Sequence, residues 1–234
     1  MPPEIRNVPT NNLCVYEQYA PICRQYFINA SIPPVPKTAP HVVAEPRNLA
    51  LHSRAGSVTA NIWITGNNKL RLLSMLLCCD NGNVQANIVC LYCSEFLKNK
   101  ANENAQHDAF SSGESGNRPS LYIKAWATYG GVYLSLPRCF RGLITIRLSR
   151  EGITLSPAIG ERAVLLSDVE AARVYFVGDR PHALLSSRDD DDKESEGATL
   201  GVGRSPEEPS DNMIVTSWSS AVQIRWEGEP ELPG

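Results

Sequence analysis

A glycine followed by strictly alternating apolar residues recurs along this chain, and few folds can accommodate that repetition. Gly56 leads into Val58, Ala60, Ile62 and Ile64; Gly82 into Val84, Ala86, Ile88 and Cys90; Gly130 into Val132, Leu134 and Leu136. A period of two places every second side chain on one face, which describes a strand with one buried side. A second apolar strand precedes the glycine, Leu49 and Leu51 before Gly56, and Leu121, Ile123 and Ala125 before Gly130. A weaker copy runs from Ile144, Ile146 and Leu148 to Gly152 and Leu155. A last, glycine-free copy runs from Met213, Ile214 and Val215 across Ser219 and Ser220 to Val222, Ile224 and Trp226. Glycine suits the bend because it lacks a Cβ and tolerates backbone angles closed to other residues.

The glycines Gly56, Gly82, Gly130 and Gly152 are 26, 48 and 22 residues apart, and excising the polar stretch 94–118 evens the intervals. One strand–turn–strand unit per repeat makes the fold all-β, of the β-solenoid or β-helix type, in which stacked units share one core. An antiparallel β-sandwich of hairpins is the alternative, because hairpins give the same alternation. Residues 1–48, with Pro33-Pro34-Val35-Pro36, read as an extended proline-rich arm carrying one short strand around Tyr26-Phe27-Ile28. Residues 49–229 read as a single repeat domain with loop insertions at 94–118 and 180–212. The second insertion holds nine acidic and four basic side chains, a like-charge block that cannot pack and is expected to be a mobile, solvated loop.

A net charge of −3 argues against nucleic-acid binding as the main activity, because that needs a concentrated basic surface. No apolar run reaches the length of a membrane span. The first ten residues are polar and are not a secretory signal, so the expected location is intracellular and cytoplasmic, with the seven cysteines reduced.

Cys90 and Cys93 have the spacing of half a zinc site, with Cys78 and Cys79 upstream. Cys90, however, continues a strand series, and adjacent Cys78 and Cys79 point to opposite faces. These are therefore core thiols and no metal is expected. His41, His52, His107 and His182 have no ligand spacing, and no nucleophile elbow, phosphate loop or cofactor fingerprint occurs. The run Asp189 to Asp192 lacks the alternation and turn glycine of a calcium loop. Arg138, Arg141 and Arg147, with Arg150 nearby, either protect a strand rim or receive an anionic partner. Trp63, Tyr122, Trp126 and Tyr133 face outward by parity; they lie under the N-terminal arm or form a recognition surface.

Asn48-Leu49-Ala50-Leu51 with Gly56-Ser57-Val58-Thr59-Ala60-Asn61-Ile62 resembles the opening of a domain of unknown function found in proteins of mushroom-forming fungi. Leu136 to Gly142, Val174 to Asp179 and Val222 to Glu229 resemble its later strand ends. The repeat style is also similar to adhesin-type β-helices of bacteria. The resemblance implies a contact surface and supplies no catalytic residue. The leading expectation is a non-enzymatic structural or interaction module of a fungal protein. The alternative is a module binding a glycan or an anionic partner through the outward aromatics and arginines, and the third reading is a hydrolase with an unrecognised site.

Overall fold

The computed structural model describes residues 11–32, 47–65, 72–91, 119–147, 152–169, 172–178 and 211–232. The expected loop at 94–118, Arg150 and most of 180–212 lie outside these residues.

The alternating segments are strands, and the glycine turn carries the chain from one sheet to another rather than folding it back as a hairpin. The first strands of the units are β1 (Leu13–Glu17), β3 (Leu49–Ser53), β5 (Leu72–Cys79), β7 (Ser120–Ala127), β9 (Gly142–Arg147) and β13 (Asp211–Ser217). Their second strands are β2 (Ile22–Asn29), β4 (Val58–Thr65), β6 (Val84–Cys90), β8 (Val132–Leu136), β10 (Ile153–Leu155) and β14 (Val222–Trp226). First strands join an eight-stranded sheet, completed by the hairpin β11 (Ala163–Val169) and β12 (Ala172–Val177), in the order β1-β3-β5-β7-β13-β9-β12-β11. Second strands form a six-stranded sheet that reads β2-β4-β6-β8-β14-β10 in the same direction. All pairs are parallel except β9–β12 and β11–β12. The fold is therefore all-β, with parallel ladders where a sandwich of hairpins would have antiparallel ones.

Parallel pairing in register keeps equivalent residues in columns. Val58, Val84, Val132 and Val222 lie side by side and are fully buried, as are Ile62 and Ile88. Inward residues of both sheets form one apolar core, which extends to Phe140 and Ile159. At one end the stack is closed by the β11–β12 hairpin and a single helical turn, α1 (Pro157–Gly160), capped by the Ser156 hydroxyl, which accepts from the Ile159 N–H at 3.3 Å.

The segment expected to be a separate arm is continuous with the sheets. β1 pairs with β3 and β2 with β4, so residues 11–32 supply a first strand–turn–strand unit. Arg24 occupies an inward position opposite Ala60 yet is exposed, a charge that guards this edge of the six-stranded sheet.

The other departure is the place of the last unit. β13 and β14 are not at the end of the stack; they lie between β7–β8 and β9–β10, hydrogen-bonded on both flanks. Asp211 secures that position. Its fully buried carboxylate accepts from the Leu121 N–H at 2.8 Å on one side and the Arg141 N–H at 2.7 Å on the other. A Cβ at Gly142 would overlap the Asp211 carbonyl, so only glycine lets the two main chains meet. Asp211 and Asn212 thus belong to a strand, not to the solvated loop assigned to 180–212.

Successive turns stack as closely as the strands. Ser53 Oγ donates to the Ala20 carbonyl at 2.9 Å, Cys79 Sγ to Gly56 at 2.8 Å and Ser217 Oγ to Gly130 at 3.1 Å. Each group sits at the end of a first strand and reaches back to the preceding turn. A Cβ at Gly130 would overlap the Gly82 carbonyl, which explains glycine there. Gly130→Ala should lower stability by about 2–3 kcal/mol, since neither backbone can yield without disturbing a ladder. Gly160→Ala, where a Cβ meets nothing within 4 Å, should leave the urea midpoint unchanged or slightly raised.

Candidate binding cleft

The outward positions of the six-stranded sheet fall into two polar rows. Parallel register aligns Thr59, Gln85, Tyr133 and Gln223 in one row, and Asn61, Asn87, Ser135 and Arg225 in the next. With Glu231 and Leu232 of the C-terminal segment they line an open cleft of about 400 Å³. Strand spacing of roughly 4.8 Å sets the distance between successive groups in each row. Among the described residues, the amides of Asn61, Gln85, Asn87 and Gln223 make no hydrogen bond to other protein groups, so their donors and acceptors face the cleft. Arg225 is held by an Nε–H bond to Ser135 Oγ at 2.8 Å, and its Nη2 lies 3.8 Å from a Glu231 carboxylate oxygen. The Tyr133 ring leans over Gly131, where a Cβ would come within 2.6 Å of its hydroxyl.

Of the aromatics singled out from the sequence, only Tyr133 lies in this cleft. Trp63 is on the same outer face but at the far end of β4, stacked on Phe27 of β2 with ring centroids 6.2 Å apart and 11° between planes. Residues expected to form the arm thus flank Trp63 through a neighbouring strand. Tyr122 and Trp126 belong to β7 and face outward from the eight-stranded sheet, on the opposite side of the core. Lys124 Nζ stands 5.4 Å from the Trp126 ring centroid. These four aromatics do not converge on one patch.

The arginines are dispersed as well. Arg138 is exposed beside Glu227, whose carboxyl is pushed above its ordinary range by burial, an effect that Arg138 opposes. Arg141 serves β13 through its main chain, receiving the Asp211 N–H at 2.8 Å. Arg147 is exposed at the other end of β9, about 20 Å along the strand from Arg141.

The nearest approach to a nucleophilic constellation is on the eight-stranded sheet, where His52 and Cys78 are cross-strand neighbours and His52 Nε2 lies 3.7 Å from Asp80. Burial pushes the Cys78 thiol up to about 12, and its Sγ donates to the Leu51 carbonyl at 3.4 Å. A thiol that stays protonated at neutral pH is a poor nucleophile. Cys79, facing the core, is pushed up to about 11 by the same cause. Cys90 is buried at the end of β6, and no group of three or more His, Cys, Asp or Glu side chains among the described residues could hold a metal ion. Cys139 departs from the expectation of reduced cysteines: it is disulfide-bonded.

The cleft was legible in outline. Aligning the segments after the turns gives Thr59-x-Asn61, Gln85-x-Asn87, Tyr133-x-Ser135 and Gln223-x-Arg225, whose polar columns emerge once parallel register is assumed. Most of these positions are neutral and non-aromatic, so no single strand marks them as a site.

Two facing sheets of stacked strand–turn–strand units, with a polar cleft on one outer face, define an all-β module. The chain belongs to the DUF7330 family, a domain of unknown function whose pattern matches residues 11–206. No curated protein and no solved structure matches it. No helix among the described residues is long and apolar enough to cross a membrane.

The thiols should separate by position. Exposed Cys14 and Cys23 should react with a thiol reagent in the native protein, and Cys78 and Cys79 only after unfolding. Mass spectrometry of the labelled protein checks this, and rapid native labelling of Cys78 would revive the nucleophile reading.

Proposed function

We propose that this protein is a non-enzymatic interaction module with β-solenoid architecture, and that its polar cleft binds a glycan. The single observation that carries the reading is the pair of in-register rows of amide and hydroxyl groups beside Tyr133. Sugars present hydroxyls that both donate and accept, and side-chain amides answer both roles. A half-buried tyrosine adds an apolar face on which a pyranose ring can lie. A rigid ladder holds these groups in place, so little side-chain order has to be gained on binding.

The absence of a competent nucleophile at His52, Cys78 and Asp80 favours binding over hydrolysis. A protein-contact reading draws support from Tyr129 and Trp218, which are 71% and 57% exposed on adjacent turns, where Ser219 Oγ donates to the Thr128 carbonyl. The cleft has the more specific chemistry.

An array of neutral and acidic oligosaccharides, followed by calorimetry on the hits, tests the glycan reading. Tyr133→Ala and Asn87→Ala should each weaken binding by about tenfold, the equivalent of one lost stacking or hydrogen-bond contact. Trp126→Ala, on the opposite sheet, should leave affinity unchanged. Retained affinity in both cleft variants, or a loss confined to Trp126→Ala, would place the site elsewhere.

A further inference from the structure

Arg225 is a cation set among neutral groups, and its hydrogen bonding is incomplete. Its side chain is only 22% exposed, Nε is engaged by Ser135, and Nη1 is buried without a partner. Nη2 faces Glu231, whose side chain is 79% exposed, across 3.8 Å. That separation is too long for a direct hydrogen bond, and an ion pair with so exposed a member contributes little. A guanidinium offers a planar fork matched to a carboxylate, and a buried N–H without an acceptor is unfavourable until one arrives. The loosely opposed Nη2 at the cleft calls for a ligand with an anionic oxygen. The rows of amides around it ask for hydroxyls on the same ligand.

We propose that the cleft selects acidic saccharides, with Arg225 binding a uronic-acid carboxylate and Glu231 acting as an internal competitor that the ligand displaces. This rests on the glycan reading of the same cleft and adds the charge of the ligand and a residue that tunes access to it. Glu231 and Leu232 lie along the cleft, so the carboxylate of Glu231 occupies part of the volume a ligand carboxylate would enter. Displacement exchanges the Glu231 carboxylate at Nη2 for a ligand carboxylate whose sugar also meets the amide rows.

The test uses the full chain and a matched pair of probes, oligogalacturonic acid and its methyl ester, which share a backbone and differ in charge. The acid should bind more tightly than the ester, and its affinity should fall with added salt. Arg225→Gln should weaken the acid by about 10–100-fold while changing the ester little, as expected for a lost charge-assisted pair. Glu231→Gln should strengthen the acid about two- to fivefold without altering the ester. Because Glu231 is exposed, that variant keeps the test valid even if Arg225→Gln proves unstable. Equal binding of acid and ester by the wild type, or an unchanged acid affinity in Glu231→Gln, overturns the proposal and leaves the glycan reading standing. No binding of either probe, and none on the wider array, overturns both.

Discussion

Everything in this structure depends on the in-register parallel ladder. When equivalent residues of successive units pair directly, each inward position becomes a column of like side chains, and each outward position a row of exposed groups at a fixed spacing. The valine column at Val58, Val84, Val132 and Val222 and the polar rows above it are two consequences of one register. A slip by one residue would exchange them, turning Thr59, Gln85 and Tyr133 into the core. The core and the cleft are therefore specified together.

The turns obey the same repeat distance and set the residue types at the bends. Turns stacked on one another leave no volume for a Cβ at Gly130, and small hydroxyl or thiol groups at Ser53, Cys79 and Ser217 each tie a strand end to the adjacent turn. Cys79 takes a place that serine fills at Ser53 and Ser217, which accounts for a buried thiol there. The same economy applies to Asp211. A buried carboxylate is costly unless fully hydrogen-bonded, and here backbone donors from both flanking strands receive it. The β13–β14 unit is therefore locked into the interior of the stack, between β7–β8 and β9–β10. The family match ends at residue 206, before this unit, although both sheets are incomplete without it.

A regularly spaced array of strands holds its outward side chains at fixed separations. Strands hold side chains perpendicular to the sheet, so neighbours such as His52 and Cys78 lie side by side rather than converging. In the cleft the same regularity sets successive amides in step along the sheet. Arg225 breaks the row of neutral groups with a positive charge.

The alternation of apolar residues determined by itself the strands, their buried faces and the glycine turns, because side-chain parity and the lack of a Cβ are local properties. Val58, Val84 and Val132 are buried and Arg147 is exposed for reasons legible along a single strand. The polar columns at Asn61, Asn87 and Ser135 were also present in the sequence, but they become a surface only when the units pair in parallel and in register. Tertiary structure alone decided three things: that Trp63 and Tyr133 lie on one sheet while Tyr122 and Trp126 lie on the other, that residues 11–32 form a unit rather than an arm, and that β13–β14 enters the interior of the stack. The physical reason is common to all three. Hydrogen bonds between strands are non-local, and a strand's own pattern says which of its faces is buried but not which strands will flank it.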